Sequence, residues 1–194
     1  MDNAEWEQTN DIFRILQLLS EHGKLTESIW RRFHSNCCRD IWPYISNPVS
    51  IRAVEVAEQY ISGAASLQDL QSAYINAKSI SNAAWSVVES CKIARDSNAW
   101  LWPLTDETDE AWVRYCSAQA AAQCAETPSY DVLATTIPDC ASSVRPWANA
   151  RLDVLGVSLD DVQNRSLVEA RWHLLENMEK ARQADILRKI VPHL

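Results

Sequence analysis

A chain of 194 residues can bury roughly 70% of its unfolded surface and so can build a hydrophobic core of its own. Hydrophobic residues make up 47% and charged residues 23%, which excludes a disordered or fibrous polymer. With 18 Lys and Arg against 26 Asp and Glu the formal net charge is -8, so the long-range field repels a phosphate backbone and nucleic acid is not an expected partner.

The opening residues Met1-Asp2-Asn3-Ala4-Glu5 carry acids where a secretory signal needs a basic stretch followed by an apolar run. No window approaches the roughly 20 apolar residues of a membrane span, because charges recur every few positions. A cytoplasmic protein without membrane contact is the expectation, with its six cysteines held as thiols in a reducing compartment. Nine tryptophans stand against two phenylalanines, and each indole N–H needs a partner when buried.

The apolar pattern predicts helices from end to end. The first spans Asp11 to His22, capped by Asn10, with Ile12, Ile15, Leu16 and Leu19 on one stripe. The second spans Glu27 to Trp42, where Ile29, Phe33, Cys37 and Ile41 recur every four residues beside Trp30, Cys38 and Trp42. Asn47 followed by Pro48 reads as a cap and N1 proline opening a helix to Ser62, with Val54, Ala57 and Ile61 inward.

Ser66-Leu67-Gln68-Asp69 has the form of a capping box, starting a helix to about Asp96 through Leu70, Tyr74, Ala77, Ala84, Val88 and Cys91. The next helix begins near Thr108, with Asp109 and Glu110 at the positive end of its dipole, and carries Trp112, Cys116, Ala120 and Cys124 at spacings of four. The pattern weakens over 127–157, where a short helix near Tyr130 and a segment kinked at Pro146 are expected. A second box at Ser158-Leu159-Asp160-Asp161 opens a last helix to about Ile190, with Val168, Trp172, Leu175, Met178, Leu187 and Ile190 inward.

The three glycines, Gly23, Gly63 and Gly156, each follow a helical stretch, where a left-handed terminating residue is wanted. Long period-two runs are absent. The expected fold is therefore a single all-α domain over residues 1–194, a multi-helix bundle of about six to eight helices with short loops and no sheet.

Several segments, in order along nearly the whole chain, carry a resemblance. They are Ala4-Glu5-Trp6, Cys37-Cys38-Arg39-Asp40-Ile41-Trp42, Arg52-Ala53-Val54-Glu55-Val56-Ala57-Glu58 and Gln183-Ala184-Asp185-Ile186-Leu187-Arg188-Lys189-Ile190. Together they resemble a family of uncharacterised helical proteins found mainly in planctomycete bacteria. The last residues, Val191-Pro192-His193-Leu194, depart from an Asn-Pro-Phe-like continuation. The resemblance implies a helical, cytoplasmic protein and brings no activity with it.

Among residues that could carry chemistry, His34, Cys37 and Cys38 sit at spacings of three and four, and imidazole with thiolate suits zinc. A fourth ligand has to come through the fold, with Cys91, Cys116, Cys124 and His173 as sources. Against this, Cys37 lies on an apolar row, where a small buried hydrophobe belongs. Adjacent cysteines also suggest a thiol switch, which requires a lowered pKa and access. Glu55 and Glu58, or Glu176 and Glu179, have the spacing of metal-binding carboxylate pairs, but Glu169 and His173 are four apart, which breaks the di-iron pattern. Each pair reads more simply as a solvated face.

Serine-triad, phosphate-loop and dinucleotide sites need glycine turns that three helix-terminal glycines cannot supply, so no catalytic residue and no cofactor is expected. Arg31, Arg32, Arg39 and Arg52 are interspersed with acids and read as a mixed surface. Trp100-Leu101-Trp102-Pro103 places two large rings in an expected loop, as an apolar lid or as an exposed contact. The expected function is a non-catalytic helical module that binds another protein or self-associates through Trp100, Leu101 and Trp102. The alternative is a small metal-binding protein or metal-dependent enzyme using His34, Cys37 and Cys38, or Glu55 and Glu58.

Overall fold

The computed structural model describes Trp6 and residues 9–93, 106–126 and 162–192, without the side chains of 92–93, 106–109, 162–172 and 176. These residues form six α-helices and one 3₁₀ turn, with no strand among them: α1 (Ile12–Glu21), α2 (Glu27–Asp40), the turn Trp42–Tyr44, α3 (Pro48–Ile61), α4 (Leu67–Ile93), α5 (Asp106–Ala125) and α6 (Val162–Ile190). The all-α expectation holds. No described helix is long and apolar enough to cross a membrane.

Local side-chain chemistry sets most of the visible boundaries. Asp11, not Asn10, caps α1, its carboxylate accepting from the amides of Phe13 and Arg14 at 3.0 and 3.4 Å. Thr26 caps α2 and Asn47 caps α3, with Pro48 in the first turn. At α4 the box is reciprocal: Asp69 N–H donates to Ser66 Oγ at 3.1 Å, and Ser66 N–H donates to Asp69 Oδ2 at 2.9 Å.

Gly23 and Gly63 end α1 and α3 with φ of 63° and 77°. In both, the glycine amide reaches back three residues, to Ser20 or Tyr60, and the next amide reaches back five, to Leu19 or Gln59. The second helix is shorter than expected, ending at Asp40, after which the backbone tightens into the turn holding Trp42 and Pro43.

The helix α5 is the hub, packing against α2, α3 and most extensively α4, while α6 lies on α2 and α1. The α4–α5 pair is antiparallel, since Tyr74 meets Glu126, Lys78 and Ser81 meet Gln119, and Trp85 meets Trp112 and Tyr115. Around the axis of α5, residues Cys116, Ser117, Ala118 and Ala120 to Ala125 are all buried. Alanine makes this possible, because a helix surrounded on three sides must let neighbouring backbones approach. Gln119, half-buried on this helix, accepts from Lys78 Nζ at 3.1 Å and Ser81 Oγ at 2.5 Å.

At the other end of the bundle, Arg188 on α6 donates to the carbonyls of Trp6 and Thr9, tying the buried Trp6 to the last helix. Ala184, Leu187 and Val191 face inward, as expected for Leu187. Met178 corrects the expectation: it stands 60% exposed, beside an equally exposed Leu174 one turn earlier. At 100° per residue Met178 projects about 180° around the axis from Leu187, so both cannot share one buried face. The expected weak region 127–157 and the box at Ser158 lie outside the described residues.

Candidate functional site

The segments around Cys37 and Val54 are core determinants. Phe33, Cys37, Cys38 and Ile41 on one side, and Ala53, Val54, Val56 and Ala57 on the other, are buried in the main cluster. His34 is buried with them, its ring 4.3 Å from that of Trp30 and 5.5 Å from that of Phe33. Its Nε2 has no hydrogen-bond partner. Burial, reinforced by the Arg31 charge, pulls its pKa down to about 3, so the imidazole is neutral at ordinary pH.

The two adjacent thiols point apart, about 100° around the helix. Cys38 turns toward α5, where its sulfur lies 3.3 Å from Cys124 Sγ, both buried. That contact, and then burial, push the Cys38 thiol well above its ordinary pKa, and burial does the same for Cys37. Cys124 is thus an expected partner from elsewhere in the chain that the fold brings to Cys38. Among the described residues no group of three or more His, Cys, Asp and Glu is gathered to hold a metal ion, so His34, Cys37 and Cys38 do not converge on a common point.

Arg31 differs most from the mixed-surface expectation. Its side chain is 2% exposed, although nothing in its sequence neighbourhood marks it for the interior. The guanidinium lies over the Tyr60 ring, 5.2 Å from its centroid, and Nε donates to Glu27 Oε1 at 2.8 Å. Nη2 sits 2.8 Å from the same oxygen at an angle that makes it an ion pair without a second hydrogen bond. Nη1 donates to the carbonyls of Cys124 and Glu126, at 3.2 and 3.0 Å, placing positive charge at the negative end of the α5 dipole.

The carboxylate pair is an ion-paired surface. Arg39 grips Glu58 through two hydrogen bonds of 2.8 and 2.6 Å and stacks on the Trp42 ring at 3.9 Å, while Glu55 lies 3.7 Å from Arg52. Arg182 pairs with Asp40 on the same side. Each carboxylate of the Glu55-x-x-Glu58 spacing thus meets its own arginine.

Sequence reasoning missed a cleft of about 690 Å³ between the start of α3, the second half of α4 and the stretch of α5 from Glu110 to Ala118. Small side chains open it: Ala83, Ala84, Ala111 and Ala118 leave room that Ile80 and Val87 border. Val87 is 53% exposed, and Arg114 and Glu110, paired at 2.5 Å, form part of the rim. An alanine is read from sequence as a packing residue whether it touches a neighbour or faces a gap, so no signal marked the cleft.

Trp100, Leu101 and Trp102 lie outside the described residues. Trp85, Trp112 and Tyr115 form an aromatic cluster between α4 and α5, with centroids 4.9 to 6.0 Å apart. No protein-family model matches the chain, and no curated protein or solved structure is significantly similar to it.

Proposed function

We propose that the chain is a non-catalytic helical module that acts by docking an apolar segment of a protein partner, another protein or a second copy of itself. The supporting observation is the cleft bordered by Ile80 and Val87, with a paired-charge rim at Glu110 and Arg114. An apolar groove with a polar rim suits the apolar stripe of an amphipathic helix, whose flanking polar residues meet the rim. The ionisable groups around His34, by contrast, sit in the packed interior, where their role is to complete the core.

The test is Val87→Asp, a surface change expected to alter stability by no more than about 0.5 kcal/mol. Sedimentation velocity over a micromolar range reports self-association, and affinity purification of the tagged chain with mass spectrometry reports another partner. The reading requires a complex of defined stoichiometry that Val87→Asp weakens at unchanged melting temperature. A wild-type monomer with no partner lost on that substitution ends it.

A further inference from the structure

The contact between α2 and α5 places two free thiols together that are 86 residues apart in sequence, Cys38 and Cys124, with sulfurs 3.3 Å apart. A disulfide needs an S–S distance of about 2.0 Å, so closure asks for a movement of little more than an ångström. Both residues occupy the last turns of their helices, α2 ending at Asp40 and α5 at Ala125. Helix ends open more readily than helix centres, and release of Arg31 from the carbonyls of Cys124 and Glu126 frees the end of α5 and gives access that the closed core denies. Cys37 is the only other cysteine on α2, and its side chain leaves the helix about 100° away from that of Cys38.

We propose that Cys38 and Cys124 are an oxidative modification site, joined into a disulfide by a small hydroperoxide and released by thiol reductants. The oxidant must be small and uncharged to enter such a site, and hydrogen peroxide is that class. When the turns open, the Cys124 contact and the burial that raise the Cys38 thiol are relieved, and one sulfur, ionised to the thiolate, attacks a peroxide oxygen; the O–O bond breaks, a sulfenic acid forms and the second oxygen leaves, protonated, as water. The other thiolate attacks the sulfenic sulfur, the S–O bond breaks, and hydroxide leaves and takes up a proton as a second water. The sulfurs together lose two electrons and the peroxide gains them. The product ties α2 to the last turn of the hub helix, while the part of that helix lining the cleft runs from Glu110 to Ala118.

The experiment treats the full-length protein with hydrogen peroxide, then unfolds it in excess alkylating reagent and maps the peptides by mass spectrometry. The expected result is two fewer alkylated cysteines and a Cys38–Cys124 cross-linked peptide that disappears with dithiothreitol. Because a cross-link over this span restricts the unfolded chain, the oxidised protein melts roughly 5–10 °C higher than the reduced one. Low urea, below the unfolding transition, speeds the reaction, as helix-end opening requires. Cys37→Ala keeps the cross-link, and Cys38→Ala loses it. Recovery of both thiols alkylated after treatment with and without urea, conversion of either to a sulfinic acid in place of the link, or a link from Cys124 to Cys37 overturns the proposal. Should Cys38→Ala not fold, the wild-type peptide map and the Cys37→Ala variant decide the matter.

Discussion

Arg31 on α2 donates through Nη1 to the main-chain carbonyl of Cys124, 93 residues later, at 3.2 Å. The same nitrogen reaches the carbonyl of Glu126 at 3.0 Å, so one buried guanidinium satisfies two carbonyls at the end of the hub helix. Carbonyls in the last turn of a helix have no intrahelical partner, and burying them unpaired is costly.

Replacing Arg31 is therefore expected to act on the end of α5. Arg31→Met keeps much of the side-chain volume and removes every donor, and it should lower unfolding stability in urea by about 2–4 kcal/mol. Arg31→Lys should lose less, because its charge remains at the helix terminus while its single ammonium cannot copy the guanidinium fork. A Met variant within 0.5 kcal/mol of wild type would show that the two carbonyls find other partners.

His34 makes stability depend on pH in a defined direction. Its folded pKa, about 3, is below the ordinary histidine value, so between those values the unfolded state binds a proton that the folded state refuses. The contribution is complete above pH 6.5 and is lost progressively as pH falls toward 3. From pH 6.5 to 5, before most carboxylates titrate, the loss is on the order of 1–2 kcal/mol. Urea unfolding at several pH values checks this, and His34→Gln should flatten the slope in that window. An unchanged slope in the variant would assign the acid sensitivity to other groups.

Close packing around Ala121 and Ala122 of α5 leaves no room for larger side chains there. Ala121 and Ala122 are fully buried where α5 meets its neighbours. Ala121→Leu should destabilise by about 1–3 kcal/mol or force the helices apart, seen as a lower urea midpoint. The same change at Ala83, which is exposed at the cleft, should cost under about 0.5 kcal/mol. Equal costs at both positions would refute the assignment of α5 as the enclosed helix.

Protein purified without chelator is expected to contain less than a tenth of an equivalent of zinc, iron or manganese by elemental analysis. The geometry behind this is that His34 packs against the rings of Trp30 and Phe33, Cys38 turns to Cys124, and Glu55 and Glu58 meet arginines. One tightly bound equivalent, lost on Cys38→Ala, would restore the ligand reading of His34, Cys37 and Cys38.

Residues that act on their immediate neighbours were legible from sequence. Asn47 with Pro48, Ser66 with Asp69, and glycines 23 and 63 each satisfy or terminate backbone groups within five residues, so spacing alone identifies them. The apolar rows of α1 and α2 were equally clear, because a helix packed on one side shows that side as a stripe. Arg31 and His34 were not legible as interior residues. Arg31 is held inside by the approach of α5, since the carbonyls that make a buried arginine favourable belong to residues 124 and 126, and burial of His34 likewise depends on tertiary packing. Met178 failed differently: its apolar character matched a stripe whose phase only the packing partners of α6 could set.

By itself the amino-acid order determined that this chain makes helices, where several of them start and stop, and which stripes seek the core. These follow from interactions within one or two helical turns. Tertiary structure alone decided that the alanine-rich segment 111–125 is the hub, that Cys38 meets Cys124, and that small side chains on α4 and α5 leave a cleft. Each of these depends on distances between residues far apart in the chain, which local spacing does not encode.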